Sequence, residues 1–292
     1  MIISHKIAAL TATLTTALSL LAAPAMAFSV GPTNNTEILK NNLLGANTAG
    51  LSNFSVSIMG DSAAFGTFTK DPFGLTSGVV LSTGKVADIP GQNRYDNDKI
   101  GSDLSTDFGP EGEEGDLTQL TLSFFANSTV EKLFFQYVFA SEEFPEFGGS
   151  KKYNDNFELL LNGTNLAKLR DGKTVTINNL VPDPKKRSKD HPDYINNPSL
   201  TGIAANIVKL DGFTKVLGFE GLLKQNQTNV LSIRIKDVGD GKLDSAVFIK
   251  GGSVGTVQPE PVPEPMTVGG LMAGGAMLAA GRKLRNRRGG SN

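Results

Sequence analysis

Acidic and amide side chains gather at three places in the sequence. Glu142 and Glu143 follow the apolar run 133–140, and Asn154 and Asp155 precede a second apolar run, 157–161. Asp237, Asp240 and Asp244 fill a Gly-containing turn ahead of a third, 246–249. Carboxylates and amides are the ligands of a hard cation. Calcium takes about six to eight oxygens and needs neither His nor Cys. The spacing is not that of an EF-hand, so loops brought together in space would have to hold the ion. The alternative at the same residues is that the acids accept backbone N–H groups at turns and bind nothing.

Paired carboxylates also serve glycoside hydrolysis, which needs two of them about 5–10 Å apart across a sugar. Glu142, Glu143, Asp155 and Asp244 are the candidates by type. The chain has no Trp to form a sugar platform. Nucleophilic catalysis needs a base beside a Ser or Thr. After residue 27 the only His is His191, in a Pro-containing loop where a surface position is expected, and there is no Gly-x-Ser-x-Gly elbow. The residues favour a non-enzymatic protein, with a carbohydrate-active enzyme using Glu142 or Glu143 as the alternative.

These acids need strands to position them. Leu133, Phe135, Tyr137 and Phe139 fall on one face of an extended segment and Phe134, Val138 and Ala140 on the other. Both faces are apolar, which predicts a central strand covered on both sides. Pro145 cannot donate to a ladder, so the strand ends before it. If the extended path continues, Glu142 and Glu143 point to opposite faces, and only one can ligate at a given site. Phe54, Val56 and Ile58 alternate with polar residues, as do Leu120, Leu122 and Phe124. Leu231, Ile233 and Ile235 alternate with Ser232, Arg234 and Lys236, which predicts a strand with one wet face. Shorter strands are expected at 79–81, at Val175 and Ile177, at 216–219 and at 246–249. Asn35 or Thr36 would cap a short helix carrying Ile38, Leu39, Leu43 and Leu44, with Gly45 as its C-cap. Two long polar loops, 88–116 and 182–197, interrupt the pattern, and the basic cluster Lys185-Lys186-Arg187 in the second reads as a solvated loop. The expected fold is all-β, a jelly-roll-like sandwich with one short N-terminal helix.

The totals agree. Abundant Gly (33 residues) and short apolar segments favour many turns. A formal net charge of -1 offers no reason to expect nucleic acid. The absence of Cys removes disulfides and thiolate metal sites.

Both ends are read as addresses. Residues 1–27 combine Lys6, an apolar run and an Ala-x-Ala ending, the pattern of a Sec signal peptide cut after Ala27. The body is expected over 28–255. A Pro-rich linker over 256–265 would be an extended spacer. Residues 266–288 form an apolar helix with a basic end. Its uncharged part, 266–280, is shorter than the about 17–25 residues of a full bilayer span. The following Arg and Lys would hold that end in the cytoplasm.

The tail resembles the PEP-CTERM sorting signal of exopolysaccharide-producing bacteria. The resemblance rests on Pro263, Glu264 and Pro265, then the Gly-rich apolar segment, then Arg282, Lys283, Arg285, Arg287 and Arg288. It implies an exosortase-type transpeptidase as partner, transient anchoring in the inner membrane through 266–280, and passage to the cell surface or extracellular matrix. The body resembles the choice-of-anchor L domain. The matching stretches are Ser77-Gly-Val-Val-Leu-Ser-Thr-Gly84, Gly115-Asp-Leu117, Val138-Phe-Ala-Ser-Glu-Glu-Phe144, Asn154-Asp-Asn-Phe157, Asp211-Gly-Phe-Thr214 and Asp237-Val-Gly-Asp-Gly-Lys-Leu-Asp-Ser-Ala-Val-Phe248. The Lys-rich stretch around 185–189 departs from that pattern. The resemblance implies a surface or secreted module, assigns no activity, and leaves extracellular polysaccharide as a candidate partner.

Overall fold

The computed structural model describes residues 27–96, 101–109, 116–239 and 241–262. The signal segment up to Met26, Asp240 and the sorting tail from Pro263 lie outside the described residues. In chain order the elements are β1 (Ser29–Pro32), α1 (Thr36–Leu43), β2 (Leu51–Met59), β3 (Phe65–Thr69), β4 (Ser77–Ser82), β5 (Leu117–Ala126), β6 (Lys132–Ser141), β7 (Asn156–Leu161), β8 (Thr164–Asn165), α2 (Ile177–Leu180), β9 (Tyr194–Asn196), β10 (Gly212–Thr214), β11 (Leu217–Leu222), β12 (Gln227–Lys236) and β13 (Ser245–Lys250).

The strands form two sheets. An eight-stranded sheet runs β1-β3-β4-β13-β6-β10-β9, with β11 also paired to β6, and a five-stranded sheet runs β2-β5-β12-β7-β8. Every pairing between named strands is antiparallel. The alternation along each strand explains the packing. β5 turns Leu120, Leu122 and Phe124 inward, and β12 does the same with Leu231, Ile233 and Ile235. On the wet face of the small sheet Arg234 sits opposite Glu158, with Nη1 3.2 Å from the carboxylate.

β6 is central, with β13 on one side and β10 and β11 on the other. Leu133, Phe135, Tyr137 and Phe139 belong to the core between the sheets. Val138 and Ala140 face a second apolar layer on the outside of the large sheet. Phe134 is only half-buried. The second layer is supplied by loops. Ile89 and Leu104 from the first long loop, and Ala204, Val208 and Leu210 ahead of β10, cover Val80, Val138 and Phe248. A strand apolar on both faces needs such a cover, because water cannot solvate either side.

Four local expectations are corrected. Asn35 does cap α1, accepting from Glu37 N at 3.0 Å and Ile38 N at 3.2 Å, but the C-cap is Leu44 in an extended conformation. Gly45 serves packing instead: a Cβ there would lie 1.9 Å from the Gly252 carbonyl oxygen. Val175 and Ile177 do not form a strand. Thr176 accepts from Asn179 N at 3.1 Å and starts α2 at Ile177, so side-chain capping wins over β-propensity. His191 is partly buried rather than a free surface residue. Its side chain is 8% exposed, with Nδ1 accepting from Asp193 N at 3.1 Å. The linker is no free spacer as far as Glu260: just ahead of it Gly255 exchanges backbone hydrogen bonds with Phe134, and within it Thr256 N donates to Asn47 O at 2.7 Å and Glu260 O accepts from Gln136 Nε2 at 2.8 Å.

Candidate functional site: a buried carboxylate cluster at one end of the sandwich

The antiparallel registers bring several strand ends together, and each end carries an acid. β6 finishes at Ser141 and is followed by Glu142 and Glu143. β10 and β13 both begin opposite Ser141, preceded by Asp211 and Asp244. In the small sheet Lys236 at the end of β12 pairs with Asn156 at the start of β7, flanked by Asp237 and Asp155. Lys236 also pairs with Leu117, which follows Asp116. Backbone bonds tie these ends directly: Glu142 N donates to Asp244 O (3.1 Å), Asp211 N to Ser141 O (3.1 Å) and Asp237 N to Asp116 O (2.9 Å).

All these acids are buried. Glu142 turns to the outer loop, accepting from the backbone N–H groups of Asp103 and Leu104, the latter at 2.7 Å. Glu143 turns the other way and accepts from Asp155 N at 3.4 Å, as opposite faces require. Asp155 links the two sheets. Its Oδ1 accepts from Val238 N at 2.9 Å and its Oδ2 from the Ser245 hydroxyl at 2.6 Å, while Ser245 Oγ lies 2.9 Å from Ser141 Oγ. Asp237 accepts from Gly241 N at 3.3 Å. Asp244 Oδ1 accepts from Thr106 N at 2.9 Å. Its Oδ2 occupies the space of a side chain at residue 84, where a Cβ would lie 1.8 Å away, so only Gly fits. Gly78 is equally constrained, by the Ile249 carbonyl oxygen at 1.9 Å from its would-be Cβ.

Burial sets the electrostatics, because an apolar surround disfavours a bare charge. Burial pushes Glu142 up to about 9, with Asp244 and Asp103 adding to the rise. Asp211 rises to about 10, first through burial and then through Glu142 and Glu146. Asp244 rises to about 7 through burial and the nearby Asp116. Asp155 is raised by burial and by its neighbours Glu143 and Asp237. Among the described residues none of Glu142, Asp155, Asp211 and Asp244 forms an ion pair.

The expected site residues therefore divide. Asp155 neighbours both Glu143 and Asp237, and Glu142 and Asp244 form a second group. Asn154 stands apart, accepting from Asn178 N at 2.9 Å and so anchoring α2. Asp240 is outside the described residues. The donor set is all hard oxygen, as calcium requires. Yet among the described residues no three His, Cys, Asp or Glu side chains form a group able to hold a metal ion. A cavity of about 160 Å³ opens beside Glu143, lined also by Phe147, Tyr153 and Lys242.

Two participants escape a reading by residue runs alone. Asp211 accepts from Asn93 Nδ2 at 2.6 Å, and the same amide donates to Asn197 O at 2.8 Å. Asn93 lies in the first long loop and is fully buried. The available signal was positional: Asp211, like Asp155 and Asp244, directly precedes a strand.

No curated protein and no solved structure matches the chain. The family described as choice-of-anchor L domain matches residues 29–255, from the start of β1 to the Gly255 contact with β6. The chain belongs to the choice-of-anchor L domain family.

Proposed function

We propose that the protein is an exported, non-enzymatic binding or structural module of the cell surface or extracellular matrix. Its Sec signal is removed after Ala27, and an exosortase-type transpeptidase processes the Pro263-Glu264-Pro265 tail after transient anchoring through 266–280. Family membership supports the surface address. The observation that favours a non-enzymatic role is the use made of the acids. Glu142, Asp155 and Asp244 accept hydrogen bonds inside the fold, and of the carboxylates weighed for glycoside hydrolysis only Glu143 borders the cavity at this end. A hydrolase needs two facing a sugar. Fractionation of cells carrying the full chain tests the reading. The mature extracellular form should lack residues 263–288 by mass spectrometry. Replacing Pro263, Glu264 and Pro265 with Ala should leave the protein at the inner membrane. Secreted protein that retains Arg287 overturns the processing step.

A second reading is favoured by the accumulation of buried carboxylate oxygens at this end of the fold. In it, calcium bound at the acidic end stabilises the fold, with Asp155 and either Glu143 or Asp237, or Glu142 and Asp244, as the carboxylate ligands and other oxygens completing the shell. Binding to the folded state alone adds about 2.7 kcal/mol at a hundredfold excess over Kd. Millimolar calcium should then raise Tm and a chelator lower it. A melting curve indifferent to both leaves strand-end capping as the role of these acids.

A further inference from the structure

We infer that a second site, on the flank formed by the segments 170–193, binds a hydroxyl-rich anion of the uronate class, a sugar carrying a carboxylate. The inference deepens the binding-module reading and rests on it. The observation is a cavity of about 670 Å³, within the about 300–1,000 Å³ typical of small-ligand sites. It is far larger than the cavity beside Glu143 and shares no lining residue with it.

The wall chemistry names the ligand class. Arg170, Lys173 and Lys189 all line the cavity. Arg170 uses Nε on the buried Asp193 at 3.1 Å, which fixes its guanidinium at the rim. Lys173 is held by Asp171 at 2.7 Å. Lys189 is exposed and makes no ion pair among the described residues, so its charge is available to an incoming carboxylate. The walls also ask for donors. Asp171 and Asp190, with side chains 36% and 15% exposed, line the cavity with acceptor oxygens. A ligand offering several hydroxyls alongside one carboxylate matches both needs, since hydroxyls donate and accept while a carboxylate only accepts. Pro182 and Pro192 supply apolar wall for the C–H face of a pyranose ring.

The floor is well built for such a task. His191 accepts Asp193 N–H through Nδ1 and places Nε2 3.4 Å from the Asp171 carboxylate, and Arg170 N donates to Asp193 Oδ2 at 2.8 Å. The cavity thus keeps its shape through a buried acid and a nearly buried imidazole, independent of the lysine chains on its rim.

The test is titration of the full chain, purified in mild detergent, with oligogalacturonate, neutral dextran fragments and inorganic phosphate. Oligogalacturonate should bind and the other two should not. Lys189→Glu should weaken binding at least about tenfold, as loss of a charge-assisted hydrogen bond predicts. Lys185→Glu, on the same loop but off the cavity wall, should leave it unchanged. Circular dichroism should report the same fold for both variants. No uronate binding, equal loss in both variants, or equal binding of dextran or phosphate each overturns the assignment. The titration is made on purified protein, so it stands or falls independently of where the cell sends the chain.

Discussion

Neutralising Asp211 should stabilise the protein, and the gain should grow with pH. Asp211 is 1% exposed, and burial together with Glu142 and Glu146 pushes it from an ordinary 3.8 up to about 10. The folded state therefore keeps this proton where the unfolded chain releases it. Stability falls with rising pH wherever the native state binds more protons. The loss begins above the unfolded value near 3.8 and continues to about 10. Each pH unit in that window costs about 1.4 kcal/mol, reaching about 4 kcal/mol at pH 7. That is a large part of the about 5–15 kcal/mol that holds a domain together. Asp211→Asn removes the titration and keeps the oxygen that accepts from Asn93 Nδ2. Urea unfolding at pH 4, 6 and 8 should show parent and variant nearly equal at pH 4. The variant should be more stable by about 6 kcal/mol at pH 8. A variant less stable than the parent at pH 8, with calcium absent, would show that Asp211 is charged and compensated in the fold, and the electrostatic reasoning would fail.

Phe139 is fully buried between the sheets, and Phe139→Ala should cost about 3–5 kcal/mol and give little soluble protein, whereas Lys186→Ala on the exposed loop should express normally. Gly84→Ala would drive a methyl group into the Asp244 carboxylate and should lower stability by about 1–3 kcal/mol in a urea melt, while Gly163→Ala, with open space around it, should be limited to the strain of its φ of 87°. Ser245→Ala removes the 2.6 Å bond to Asp155 and should cost about 1–3 kcal/mol at neutral pH; an unchanged midpoint would show that Asp155 does not depend on the link between sheets. Across the parent protein the raised values of Glu142 and Asp244 should add to a fall in Tm from pH 5 to pH 9, because both acids hold protons that the unfolded chain has lost.

The strands could be read from the chain because their signal is local. Period-two alternation in β5 and β12 states which side chains face the core, and the run of β6, apolar on both faces apart from Gln136, states that both are covered. The Glu142–Glu143 pair was likewise readable as pointing to opposite faces, since geometry along one strand decides it. What covers the outer face of β6 could not be read, because the cover comes from irregular loops whose Ile89, Leu104, Val208 and Leu210 carry no periodic signal. The fate of His191 and Gly45 depended on neighbours distant in sequence or on turns that local composition does not encode.

The acidic end shows the same division. Residue type alone marked Glu142, Glu143, Asp155, Asp237 and Asp244 as a set. Register decided their grouping: Ser245 opposite Ser141 and Lys236 opposite Asn156 bring four strand ends together across two sheets. Asp211 and Asn93 enter only through that convergence, as they are separated by more than a hundred residues and meet at 2.6 Å. Burial, and with it the raised affinity of these acids for protons, is a property of the assembled sandwich. A carboxylate's type is set by its codon, but its charge is set by how much water the tertiary fold leaves beside it.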